Sequence, residues 1–424
     1  MKKSLIYAIL LVVVLFFNYD AFGLKPEDLG RYKGSIYGLF SLASIGLTLL
    51  SCLFISKRCS LVKSSAGRCL LYLFLLLVMI SVQFAVQLRT GQALMKSAVN
   101  ILSFKSIFVA FFILFIYQQL GLKQLWSVLT GAATACSAIA LFVVLLGIDG
   151  TSIITTRNAL IATGDFRTII PANTFIAFGF ISYLSEYLHR RNTASLICGL
   201  VCLGACFIQL HRSVVVTIFL ILVLAVLMNM QFKARNIKFL VFLIIIMIVG
   251  LGVLLRGANY SFASLFDVFE ATSISMSTTG DKSASLRFLP LINALLYVWD
   301  KAGLGIGLAW QDFDQIEYSV ESFTPSPTYD SGYYNVIIVF GFVGIIVFLW
   351  VFFAMIRKLL FLRKRVRSIN GRKYVNTLFL TLLYIILTSF GGDYLVLEYS
   401  AMFYITIVLL HILLICYDRQ KKRV

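Results

Sequence analysis

Long apolar runs broken by short polar stretches set the plan of this chain. They lie near residues 4–22, 35–56, 69–87, 99–118, 124–147, 171–188, 194–210, 213–230, 239–255, 333–356, 375–390 and 399–416. Each is close to the roughly 20 residues an α-helix needs to cross about 30 Å of hydrocarbon, so the pattern predicts an all-α polytopic membrane protein with about twelve transmembrane helices. One domain over 1–424 accounts for all of them. The sequence from 194 to 230 would reach about 54 Å as a single helix. It must therefore turn, and LHRS at 210–213 is its only polar break.

Two connections are long: residues 148–170, and residues 256–332 between the ninth and tenth spans. The second is not uniformly polar. Its stretch SLRFLPLINALLYVWDKAGLGIGLAW, 285–310, is apolar and carries Gly303, Gly305 and Gly307 near its end. That pattern predicts a helix folded back on the outer surface, with Pro290 in its first turn, followed by a tight glycine turn.

A composition of 60% hydrophobic and 13% charged residues excludes an ordinary soluble globular protein. The net charge of +19 would imply nucleic acid only if the cations gathered on a water-facing domain, and the pattern leaves none. With the N-terminus inside, roughly two thirds of the 37 Lys and Arg fall in short cytoplasmic connections. Every acid except Glu186 and Asp418 lies on the outer face or in outer loops. Both termini are thus expected in the cytoplasm and any chemistry outside. No GxxxxGK[ST] phosphate loop is present.

The start MKKSLIYAILLVVVLFFNYDAFG resembles a signal peptide ending at AFG. Its apolar run of about 18 residues, with many spans after it, argues for an uncleaved first helix. The eight cysteines avoid the outer loops, so no disulfide framework is indicated. Cys198, Cys202 and Cys206 recur every four residues on one helix face. A soft-metal site or small-residue packing fits that spacing, and packing is the expectation.

Several residues outside the apolar runs could carry chemistry. The turn at 210–213 puts His211 and Arg212 at the outer face, where the arginine either snorkels to headgroups or presents a fixed guanidinium to an anionic ligand. Arg287 opens the apolar part of the large loop, as an interfacial anchor or as a second anion ligand. Arg157 and Arg167 lie in the first long loop. In SPTYDSGYYNVIIVFGFVG, 326–344, Asp330 precedes a span. It can cap that helix or accept a proton, with Tyr334 and Asn335 about one turn further on. Gly341 and Gly344 permit close helix approach or mark packing. QDFDQ at 311–315 and the acids Glu27 and Asp28 of KPEDLGR are weaker candidates. His411 lies within the last span, and three scattered histidines do not suggest zinc.

These pieces resemble the O-antigen ligase and O-antigen polymerase superfamily of bacterial envelope polysaccharide synthesis. FRTIIPANTFIAF (166–178) is similar to its Arg followed by a Pro-Asn helix start, and LHRSVVVTIFL (210–220) to its Ser-Arg segment before a span. SLRFLPLINALLYVWDKAGLGIGL resembles its Arg, aromatic, G-x-G-x-G segment, and DSGYYNVIIVFGFVG the stretch that ligases begin with His-Asn. Asp330 stands where ligases have histidine and polymerases often have aspartate. Lys301-Ala302 replaces the usual His-Pro, and the serine–arginine order is altered to His211-Arg212-Ser213.

The resemblance implies a GT-C-type glycosyltransferase with its large periplasmic loop between spans 9 and 10, in the bacterial inner membrane. It implies an undecaprenyl-diphosphate-linked oligosaccharide as substrate, the lipid bilayer as surroundings and a chain-length regulator as a candidate partner. No cofactor or metal is implied. Arg212, Arg287, Arg167 and Arg157 would bind the leaving diphosphate, Asp330 would act as base with inversion, and Tyr334, Asn335 and His211 would orient the acceptor. The alternatives are a ligase that moves finished glycan to a lipid acceptor and a flippase for lipid-linked oligosaccharide. A transporter would carry midplane charges, broken helices and two similar halves; Lys105 is the chief midplane charge expected here.

Overall fold

The computed structural model describes residues 2–18, 67–89, 106–145, 157–160, 166–169, 172–208, 212–229, 332–366, 368–389 and 401–421, with single positions at 46, 295, 298, 299, 303 and 305. Nine helices have full bounds among them: α1 Lys2–Asn18, α2 Gly67–Arg89, α3 Ser106–Leu145, α4 Asn173–Arg190, α5 Thr193–Ile208, α6 Arg212–Asn229, α7 Gly332–Arg365, α8 Ile369–Thr388 and α9 Ala401–Lys421. Three of these contain stretches long and apolar enough to cross a membrane, Ile107–Phe142, Gly332–Arg365 and Ala401–Gln420. The architecture is that of a helical membrane protein.

The core forms where α3, α4, α8 and α9 meet. Residues 401–414 of α9 are buried without interruption, as are residues 172–182 up to and including the start of α4. Helices buried all round are apolar all round, which is why no single stripe of this sequence marks a core face. Small residues set the closest approach. A Cβ added at Gly179 of α4 would lie 2.6 Å from Ala133 Cβ of α3 and 3.3 Å from Cys202 Sγ of α5. Cys202 and Cys206 are fully buried at this junction, so the cysteine stripe packs helices as expected.

Polar contacts give the bundle two distinct ends. At one, Lys373 Nζ of α8 donates to Glu186 Oε2 of α4 at 2.8 Å, and Arg363 of α7 donates to the Met228 carbonyl near the end of α6. Lys358 of α7 donates to Cys69 Sγ at the start of α2. This end also holds Arg190, Arg365 and Arg372. At the other end, Tyr384 of α8 donates to Asn173 Oδ1 at the start of α4, at 3.0 Å. α4 and α8 are therefore antiparallel, and α6 starts at the end opposite the cations. The basic residues named here thus gather at one end of the bundle.

The label α3 covers two helices that meet at Gly121, with φ 72° and ψ 168°, within the seam expected between the runs 99–118 and 124–147. Another helix departs from the expected span. The expected continuous run 333–356 is broken at Gly341, with φ 68° and ψ −161°. Only glycine occupies such backbone angles without strain. The turn expected at 210–213 falls between α5 and α6, which end and begin at Ile208 and Arg212. The first long connection contains a feature the apolar pattern did not reveal: strands β1 Arg157–Leu160 and β2 Phe166–Ile169 pair antiparallel, Arg157 with Ile169 and Ala159 with Arg167.

Candidate active site

The end away from the cations is built around the first leg of α7, Gly332–Phe340. Every residue of this leg except the half-buried Tyr333 is buried. Two contacts seat it on the end of α8: the Gly332 N–H donates to the Ser389 carbonyl at 2.9 Å, and Tyr333 Oη donates to the Ile386 carbonyl at 2.9 Å. The last carbonyls of a helix lack partners within it, so a glycine amide and a phenol from α7 complete the α8 terminus. The Thr388 and Ser389 hydroxyls turn back onto the Tyr384 and Ile385 carbonyls.

On its other side the leg meets the glycine-bearing segment of the large loop. Leu295, Val298 and Trp299 are helical, and the Gly303 N–H closes back onto the Val298 carbonyl at 2.7 Å. Gly303 has φ 78°, which turns the chain toward α7, where its carbonyl accepts from the Phe342 N–H at 3.1 Å. Gly305 then lies directly on the break. A Cβ there would sit 2.3 Å from Val339 O and 2.6 Å from Gly341 N. Val298 packs with Tyr334, Ile337 and Ile338, with Leu295 and Phe342 alongside. The G-x-G segment and the kinked helix thus interlock backbone to backbone, which only side-chain-free residues permit.

Tyr334 and Asn335 lie on the first leg, 3% and 1% exposed. Tyr334 belongs to the apolar cluster with Val298. Arg212 is the first residue of α6, at the end of the bundle that holds Asn173 and Gly332. Arg157 and Arg167 occupy positions of the same parity in the hairpin register, and β2 ends three residues before Ala172. That much chain spans about 10 Å at most, so the hairpin borders the same end. Asp330, Arg287 and His211 lie outside the described residues. So do Glu27, Asp28, Lys105 and the acids of QDFDQ. His411 is buried within α9.

Residues that sequence reasoning passed over are Tyr333, Tyr384 and Ser389, which tie α4, α7 and α8 together here. A signal for the α8 group was present: Thr377, Thr381, Tyr384 and Thr388 recur at three- and four-residue spacing, a polar stripe through an apolar helix. All four are fully buried. Among the described residues no group of three His, Cys, Asp or Glu could hold a metal ion.

None of the curated proteins compared with the chain matches it. Residues 197–349 match the family model described as O-antigen ligase. That interval holds most of α5, all of α6, the glycine segment and the α7 break, which are the parts that interlock. Over this interval the chain is similar to the O-antigen ligase family, in line with the resemblance read from its motifs.

Proposed function

We propose that this protein is a polymerase that joins polyprenyl-diphosphate-linked oligosaccharide repeats at the outer face of the bacterial inner membrane. The observation that carries the reading is the interlock of Gly303 and Gly305 with α7 at Gly341. It joins the segment that follows Arg287 to the helix that follows Asp330. These two residues stand 8 positions before Leu295 and 2 before Gly332. Asp330 in place of histidine favours a polymerase over a ligase.

In the reaction, an acceptor hydroxyl attacks the anomeric carbon of the donor with inversion. The new C–O bond forms as the bond to the diphosphate breaks, and Asp330 takes the hydroxyl proton. The leaving diphosphate is already charged, and arginine forks at Arg212, Arg287, Arg167 and Arg157 stabilise it without a metal. Tyr334, Asn335 and His211 orient the acceptor. Cytoplasmic termini follow if the cationic end faces the cytoplasm. Broken helices also suit a flippase, but the Gly341 break is filled by the glycine segment instead of opening onto a central path.

The test supplies the purified protein in detergent with lipid-linked single repeats and resolves product length. A ladder supports the polymerase, transfer of one finished glycan to a lipid acceptor supports the ligase, and no transfer by folded protein sinks the enzyme reading. Asp330→Ala and Arg287→Ala are each expected to abolish the ladder while the protein stays folded in the membrane. Unchanged ladders in both variants refute the site assignment.

A further inference from the structure

We propose that Trp299 forms the stacking platform of an acceptor-glycan subsite beside the transfer site, with a pyranose ring of the incoming saccharide lying against its indole. This inference rests on the polymerase reading. Trp299 is 73% exposed, more than any other large hydrophobic side chain among the described residues. Its backbone is nonetheless held firmly. Val298 beside it is fully buried against Tyr334, Ile337 and Ile338, and the Val298 carbonyl accepts the bond that closes the Gly303 turn. The Phe342 ring meets the indole edge to face, at 6.1 Å between centroids and 70° between planes, and this contact still leaves most of the indole exposed.

The chemistry of the ligand follows from that geometry. A neutral saccharide offers no charge for arginines to grip and must be held by hydrogen bonds and by contact with its C–H face. Those C–H groups are weakly positive, while an indole face is negative and is the largest π surface among the side chains. A rigid aromatic ring also loses little entropy on binding. Among the described residues a second tryptophan is exposed, Trp350 on α7, and it differs in setting. It lies beyond the break in a stripe with exposed Val343, Ile346 and Phe353, an apolar face suited to hydrocarbon. Trp299 lies on the segment that closes the site, one residue from the cluster containing Tyr334.

The probes are the lipid-linked oligosaccharide fraction from producing cells deleted for this protein, and the saccharide freed from it by mild acid. Trp299→Ala is expected to raise the apparent KM for the lipid-linked fraction about five- to tenfold, the order of one aromatic stacking contact. Its kcat should stay within about twofold of wild type, since stacking holds the ground and transition states alike, and Trp299→Phe should recover most of the KM. Saturation-transfer NMR on the full-length protein should show contact between aromatic protons and the free saccharide, lost in Trp299→Ala. If KM and the NMR contact are unchanged and only the thermal midpoint in lipid falls, the residue is an interfacial anchor and the subsite is overturned. Absence of a ladder from folded wild-type protein overturns the polymerase reading and the subsite with it; a wild-type ladder with unaltered Trp299→Ala kinetics overturns the subsite alone.

Discussion

Replacing Gly305 by alanine tests the interlock directly. The new Cβ would lie 2.3 Å from Val339 O, 2.5 Å from Val339 C and 2.6 Å from Gly341 N. All three are backbone atoms, so no side chain can swing away to relieve the clash. Ordinary contact requires the segment and α7 to part by about 1 Å. Overpacking of this kind costs about 1–3 kcal/mol. A displacement of that size between catalytic groups lowers the rate by about a hundredfold. Gly131→Ala serves as the control, because it lies within α3 and its new Cβ meets nothing within 4 Å. As a helical glycine it should leave stability unchanged or gain up to about 1 kcal/mol. Rates of ladder formation and thermal midpoints in detergent are measured for both. If Gly305→Ala keeps a ladder rate within about twofold of wild type and an unshifted midpoint, the two segments are not clasped as described.

Other contacts give further outcomes. Tyr384→Phe removes the bond to Asn173 Oδ1 between two buried residues. It should cost about 1–2 kcal/mol, read as a lower thermal midpoint; an unchanged midpoint would count against this tie between α4 and α8. Glu186→Ala leaves Lys373, whose side chain is 10% exposed, without its closest carboxylate. A loss of about 3 kcal/mol is expected, and Glu186→Gln combined with Lys373→Met should recover much of it. The Arg190 contact to Glu186 is longer, at 3.6 Å, with Arg190 half exposed, so Arg190→Ala should change stability far less. Equal losses from Lys373 and Arg190 substitutions would show that burial does not rank the two pairs.

The helices were legible where polarity changes along the chain. LHRS marked the end of α5 because buried backbone can turn only where polar groups tolerate it. The cysteine stripe was legible as packing because its spacing matches a helix face, and Gly179 against Cys202 bears this out. The Gly341 break was less legible. A glycine within an apolar run leaves hydropathy unchanged, so 333–356 read as one span. What turns Gly341 out of the helix is the approach of Gly305 from some 36 residues earlier, which no local pattern records. The Gly121 break, by contrast, lies within the seam between the expected runs 99–118 and 124–147. Tyr334 has the one-turn spacing from Asp330 that suggests chemistry, yet the bond to α8 belongs to its neighbour Tyr333. The β-hairpin was not legible because RNAL and FRTI are only four residues each and lack the apolar–polar alternation of a half-buried strand.

The break at Gly341 multiplies helix termini, and each terminus exposes backbone groups that a continuous helix would have satisfied. The Gly303 carbonyl takes one of these, the Phe342 N–H. A buried amide deprived of its acceptor costs about 1–3 kcal/mol, so the glycine segment acts as a missing turn of α7 supplied from elsewhere in the chain. It follows that the two should open and close as one cooperative unit, with amide exchange at Phe342 reporting on both at once.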